Sequence, residues 1–328
     1  MKISMKHAAG YVTVAAMVPY LSIKTAWLLG SDVGVVETGL MRTAPFVVGN
    51  LVTATMEVAG AALALALVHR WGRRLPVWMV LFPLWVATGL LAPVMFAAPI
   101  GFVAGSNATP AVDGPVNGLQ GWVYGVVYAG FILQGAGLGV AFVLHIRDRW
   151  AQVLRAPLEA TESPGSIRVR VTAALGALVV SVRLVWAFGG PTGLASEVLD
   201  GRSIAQRALD VSTAGLALAG LVGLGILVSR RPGGLLAWVP LGAAWLGTGA
   251  MFCSGAYQLT LLLAPSTPFD TAGGGWFGLI TAAQVIAGLL GATVLCGVRL
   301  SSAPTPVRGR GLGQVTVGET STRSRTGR

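Results

Sequence analysis

Eight stretches of this chain are apolar and long enough to cross a bilayer: residues 8–30, 45–68, 75–98, 121–145, 171–190, 208–229, 235–263 and 276–298. About 20 apolar residues span a hydrocarbon core of about 30 Å. Within lipid every backbone N–H and C=O must be satisfied inside the segment, so such runs form helices. The expectation is an all-α, polytopic membrane protein with eight transmembrane helices. The stretch 235–263 exceeds the core thickness and must tilt or extend past it. Only 11% of the residues are charged, against about 25% in soluble domains. That excludes a soluble enzyme and a disordered chain. Cys253 and Cys296 both fall inside apolar runs, so no disulfide framework is legible. The N-terminal run has no small-residue cleavage site before Tyr20 and Lys24, which reads as a first span and not a signal peptide.

The charges assign an orientation. The N-terminus, loops 69–74, 146–170 and 230–234 and the tail after 298 carry eighteen of the 23 Lys and Arg residues. The opposite loops carry Arg42, Arg202 and Arg207 alone. Positive residues gather on the cytoplasmic side, so both termini are expected inside. The formal net charge of +11 then faces anionic lipid, and no nucleic-acid partner is needed to explain it. Twenty arginines against three lysines, with abundant Ala, Gly and Val, is usage typical of a high-GC bacterial genome and implies a plasma membrane. Residues 299–328 are rich in Ser, Thr, Gly and Arg without apolar periodicity, and they read as a disordered basic tail.

The two halves repeat each other at an offset of 159–160 residues. Ser22, Lys24, Trp27, Gly30 and Gly34 are answered by Ser181, Arg183, Trp186, Gly189 and Gly193. Asn50, Thr53, Ala54 and Gly60 are answered by Asp210, Thr213, Ala214 and Gly220. Trp78, Trp85, Thr88 and Gly89 are answered by Trp238, Trp245, Thr248 and Gly249. Matched tryptophans and charged or polar residues in order are far harder to obtain by chance than matched aliphatics. The expected organisation is one four-helix repeat over 1–145, a cytoplasmic linker over 146–170, a second repeat over 171–298, and the tail. An even number of spans per unit makes the repeats parallel, related by an axis along the membrane normal.

Polar residues inside hydrocarbon cost about 2.5–3.5 kcal/mol each on insertion scales and face the bundle interior, so they mark candidate sites. Lys24 and Arg183 lie about two turns inside their spans, and Asn50 and Asp210 sit at a similar depth, forming a polar layer near the outer surface. Either each cation pairs locally or snorkels, or the set receives an anionic head group, with Trp27 and Trp186 shielding it or serving as interfacial anchors. Glu57 falls near the middle of its span. With Asn50, Thr53, Gly60 and Ala64 it makes one polar, small-residue helix face. The matching position in the second unit is Ala217. Removal from water disfavours a charged carboxyl, so such a group can donate a proton in an apolar cavity, or serve as neutral packing glue.

A carboxyl in an aromatic-rich bundle resembles, in general character, the small integral-membrane terpene cyclases. That resemblance implies Glu57 as the acid that protonates an alkene or epoxide, with Asp210 as a second catalytic carboxylate. Lys24, Arg183, Asn50, Thr53, Trp27 and Trp186 would then bind a hydrophobic, isoprenoid-like substrate. The alternatives are a small-solute or proton-coupled transporter and a non-catalytic membrane subunit. Transport sites favour Gly/Pro-interrupted helices in both halves, and here Pro19, Pro83 and Pro240 have no counterparts. No HExxH, Walker or CxxC motif is present, so neither a metal nor a cofactor is expected. His7, His69 and His145 share the cytoplasmic ends of spans without supporting carboxylates or thiols.

Overall fold

The computed structural model describes residues 5–103, 118–149, 158–160, 163, 165–192, 202, 204–229, 238–263 and 275–300. The linker residues 150–157 and the tail 301–328 lie outside that set. Eight long helices carry the architecture: α1 (Met5–Leu28), α2 (Ala44–Val68), α3 (Val77–Val103), α4 (Gly121–Arg149), α5 (Ile167–Ala187), α6 (Ile204–Val228), α7 (Trp238–Leu263) and α8 (Gly275–Cys296). A two-stranded antiparallel ribbon pairs Leu158–Ala160 with Val298–Leu300. It ties the segment between α4 and α5 to the residues just past α8.

Six of these helices are long and apolar enough to cross a membrane: Ala44–Val68, Val77–Ile100, Gly121–Arg149, Ile167–Ala187, Gln206–Val228 and Trp276–Cys296. This is consistent with a membrane-embedded protein. The other two, α1 and α7, have 24 and 26 residues, long enough at about 1.5 Å per residue. They fall short in apolar content. α1 carries Lys6, His7, Tyr20, Ser22 and Lys24, while α7 carries four glycines with Thr248, Ser254, Gln258 and Thr260. Many of these are packing or polar positions turned toward other helices: Lys24 and Thr248 are buried, as is Gly255 against Val285 of α8.

Local chemistry sets the helix ends. Ser166 caps α5 by accepting from the backbone N–H of Val169, and Pro45 sits in the first turn of α2. α1 and α5 end alike. Gly30 and Gly189 take φ of +90° and +85°, a conformation that favours glycine. Ser31 N–H then returns to the Ala26 carbonyl, and Gly190 N–H to the Val185 carbonyl. Trp27 and Trp186, both buried, each donate the indole N–H to a carbonyl six residues on, Val33 O at 2.8 Å and Thr192 O at 2.7 Å. These tryptophans pin the turns that follow their helices and are covered by protein. Trp78, Trp122, Trp238 and Trp276, at the starts of α3, α4, α7 and α8, are exposed, as is Trp71 between α2 and α3.

α5, α6, α7 and α8 form a closed ring in which each packs on two neighbours. Small residues allow it. A side chain at Gly220 or Gly223 would meet the backbone of α7, at Gly247 and at Pro240 and Ala244. In the first group α2 packs closely on α1 and only loosely on α3, so that ring is open along one edge. α3 leans instead on α6 and α7. Ser212 of α6 donates to the Pro93 carbonyl of α3. Where α3 meets α7, Trp85 Nε1 donates to Thr248 Oγ1 at 3.2 Å and Trp245 Nε1 donates to Thr88 Oγ1 at 3.1 Å. Between them Gly89 and Gly249 bring the two backbones together.

Candidate functional site

The four polar residues expected to share one layer sort into two pairs on different helices. In the second group, Arg183 on α5 is buried and fully engaged. Its Nη1 pairs with Asp210 Oδ1 of α6 at 2.8 Å, and Nη2 donates to Gln258 of α7 at 2.6 Å and to Gln284 of α8 at 2.8 Å. Its guanidinium stacks 5.2 Å from the Trp186 ring centre. Asp210 is itself claimed twice, since Arg202, just before α6, pairs with its other oxygen. Four helices and Arg202 thus meet at one cation–carboxylate pair. Such saturation is what a charge pair in hydrocarbon requires, and it leaves Asp210 little capacity for proton transfer.

The first group builds something different from matched positions. Lys24 Nζ of α1 donates to Asn50 Oδ1 of α2 at 2.7 Å, and its ammonium lies 4.9 Å from the Tyr20 ring and 5.4 Å from the Trp27 ring. Asn50 turns its Nδ2 to the Met41 sulfur. Thr53 spends its hydroxyl on its own helix, at the Gly49 and Asn50 carbonyls, and stands beside the Tyr20 hydroxyl. One turn beyond Thr53 on the same face comes Glu57.

Glu57 is 8% exposed, and its Oε2 is buried without a hydrogen-bond partner among the described residues. Gln134 of α4 lies beside it, and the Gln134 Nε2 is buried without a partner as well. The Gln134 amide is near enough to act on the Glu57 carboxyl as a hydrogen-bonding neighbour, short of a full bond to Oε2. Lys24 and Tyr20 lie within electrostatic range of the carboxyl. Arg183 does not take part, being spent on Asp210 and the two glutamines. Aromatic side chains complete the surroundings: Tyr20 meets Phe131 edge-on at 5.5 Å, Tyr128 meets Phe131 at 6.3 Å, and Tyr257 of α7 is in electrostatic range of Tyr20 and Tyr128. At the matched position of the second group, Ala217 is packed in a core with Met251 and Ala287.

Gln134, Gln258, Gln284 and the tyrosines were not among the residues expected from sequence. The amides carry the same signal that singled out Asn50, a polar side chain within an apolar run. Elsewhere the histidine cluster resolves locally: Tyr11 Oη and His69 Nε2 are 3.3 Å apart, and His145 Nδ1 lies 2.8 Å from the Leu67 carbonyl. Among the described residues, no group of three or more His, Cys, Asp and Glu is placed to hold a metal ion. Compared with known proteins, the chain matches no family model, no curated protein and no solved structure.

Proposed function

We propose that this chain is a plasma-membrane protein of eight spans, built as two parallel four-helix repeats with both termini cytoplasmic. Its first repeat acts as a membrane-embedded acid catalyst on a hydrophobic, isoprenoid-like substrate. The duplication is supported by features that recur at the sequence offset. They are the glycine-terminated turns after α1 and α5, the Trp27–Val33 and Trp186–Thr192 bonds, and the reciprocal Trp85–Thr248 and Trp245–Thr88 bonds. Thr13 and Thr172, which keep the offset, each also lie against a glycine of the last helix in their group, Gly137 and Gly291.

The observation that carries the catalytic reading is the orphaned Oε2 of Glu57 in a buried, tyrosine-lined setting. Buried polar atoms in native proteins are nearly always bonded, and an exception calls for an explanation, a catalytic role among them. The network around Arg183 engages both oxygens of Asp210 and every guanidinium nitrogen, although Gln284 Nε2 and Arg202 Nε within it also lack partners among the described residues. In the proposed reaction the Glu57 O–H adds its proton to an alkene carbon or epoxide oxygen. The electron pair of a neighbouring double bond closes a ring, and loss of a proton from an adjacent carbon to the carboxylate restores the acid. The product is an isomer of the substrate. The faces of Tyr20, Tyr128 and Phe131 offer cation–π stabilisation to the carbocation between these steps.

The test is incubation of the reconstituted protein with linear polyprenyl lipids and their terminal epoxides, followed by chromatography and mass spectrometry. A product of unchanged mass and altered retention is expected with wild type and should be lost in Glu57→Gln, whose thermal stability should stay near wild type. An unchanged product level in Glu57→Gln overturns the reading. Proton-gradient-dependent solute flux without any isomer would favour the transporter instead.

A further inference from the structure

The helix that carries Glu57 is also the one whose packing departs most from its counterpart. On α6, Ala208 and Ser212 are 5% and 9% exposed, and Ser212 bonds to α3. The matched residues on α2, Val48 and Val52, are 60% and 53% exposed. On α6, the backbone at Leu216 and Gly220 touches Gly247 of α7. The matched Met56 is exposed, and a side chain at the matched Gly60 would meet Met17 of α1, not α3. α2 and α3 do come together lower down, where Leu63 joins a buried cluster with Val80 and Leu84. α2 is therefore pinned to α3 near its C-terminal end and splayed from it toward its N-terminal end.

α3 cannot follow α2, because its far half is held elsewhere, through Pro93 to Ser212 and through Gly89 to Gly249. The result is a wedge between α2 on one side and the α3–α7 pair on the other. Tyr257, 59% exposed on α7, is nonetheless in electrostatic range of Tyr20 beside Glu57. The α2 lip is apolar, with Val48, Val52 and Met56 exposed along it, and Glu57 follows Met56 directly in the chain.

We infer that this wedge is a lateral portal through which one long aliphatic chain of a membrane lipid, isoprenoid or acyl, passes from the bilayer to Glu57. The occupant follows from the setting. Val48, Val52 and Met56 give an apolar strip, and Lys24 lies at the end where the polar head would remain. A small polar solute has nothing to bond along Val48, Val52 and Met56. The inference rests on the reading of Glu57 as the reactive group, but the two fail separately.

The test uses the full chain in phosphatidylcholine vesicles containing either a diazirine-bearing acyl lipid or a diazirine-bearing polyprenol, photolysed and mapped by peptide mass spectrometry. Label is expected on the buried Tyr20 and Glu57 with at least one probe, in addition to lipid-facing residues such as Leu289. Which probe labels Tyr20 tells the isoprenoid from the acyl chain. Val52→Trp or Met56→Trp should lower the Tyr20 and Glu57 label at least fivefold while the Leu289 label, a check on folding, stays constant. Tyr20 and Glu57 labelled no more than the buried Trp186, or unaffected by both tryptophan variants, overturns the portal. If that happens while Glu57→Gln still abolishes isomer formation, the portal falls and the acid reading stands. If the label maps as expected but isomer formation ignores Glu57→Gln, the acid reading falls and the portal stands.

Discussion

Trp85 of α3 donates its indole N–H to the hydroxyl of Thr248 of α7 at 3.2 Å, and the bond has a mirror partner in Trp245 and Thr88 at 3.1 Å. Each threonine hydroxyl also donates to the carbonyl four residues back on its own helix, so it accepts the indole while remaining satisfied itself. Hydrogen bonds between membrane helices average about 0.6 kcal/mol and reach about 1.7 kcal/mol. Trp85→Phe and Trp245→Phe should each lose a stabilisation in that range, and by similar amounts. Thermal or denaturant unfolding in detergent measures it. A neutral effect at one site and a severe one at the other would show that the two bonds do not share the α3–α7 contact.

The same contact depends on a missing side chain. A Cβ at Gly89 would lie 2.5 Å from the carbonyl carbon of Gly249 and 3.0 Å from the Cys253 sulfur. Backbone on the far side cannot rotate away, so Gly89→Ala should destabilise by about 1–3 kcal/mol, the usual cost of overpacking. Gly139 of α4 has nothing within 4 Å of its would-be Cβ. There Gly139→Ala should be neutral or gain up to about 1 kcal/mol from helix propensity. Melting temperatures of the two variants, compared in one detergent, check the contrast.

Where α1 begins and α4 ends, Lys6 Nζ bonds Asp148 Oδ2 at 2.8 Å. That hydrogen bond holds the Asp148 carboxyl below its ordinary range, partial burial opposing it only weakly. A carboxyl depressed in the folded state adds stability above its unfolded value and loses it as pH falls through the folded one. The Asp148 side chain is 64% exposed, so solvent screening keeps the contribution below about 1 kcal/mol. Wild type should therefore lose slightly more stability than Asp148→Asn between neutral pH and pH 3, and 0.5 M salt, an ionic strength of about 0.5 M, should shrink the gap. Melts across that pH range provide the readout.

The helices and much of the candidate site were legible because both obey local rules. Apolar runs of membrane length forecast the eight helices within a few residues, and several Trp, Thr and Gly positions matched between the halves lie in the α3–α7 contact. What stayed hidden was pairing at long range. Lys24 and Arg183 looked equivalent in sequence. Their difference comes from Gln258, Gln284 and Arg202, which lie 75, 101 and 19 positions from Arg183 and meet it, or its Asp210 partner, only in three dimensions. Trp27 and Trp186 read equally well as interfacial anchors, since nothing local reveals that a turn six residues on will accept their N–H groups. The splaying of α2 was illegible for the same reason. It depends on where α3 is held, not on anything α2 itself encodes.

The buried ion pair offers the sharpest energetic test of that asymmetry. Arg183 and Asp210 are 4% and 2% exposed and 2.8 Å apart. Asp210→Asn would strand the guanidinium in hydrocarbon with only amide partners, and would release Arg202 as well. Losing one member of a buried pair typically costs about 3–5 kcal/mol. Replacing both partners by apolar residues removes the uncompensated charge, so Arg183→Leu with Asp210→Leu should be milder than Asp210→Asn alone. In the first helix group, Lys24 has one hydrogen bond to Asn50 and two aromatic faces. Its ammonium sits on a flexible stem that can reorient, so Asn50→Leu should cost about 1–3 kcal/mol, the penalty for one unmade bond to a buried donor. The expected order of stability in detergent melts is wild type, Asn50→Leu, then Asp210→Asn. An Asp210→Asn protein as stable as wild type would mean that the carboxylate is not what holds Arg183 in place.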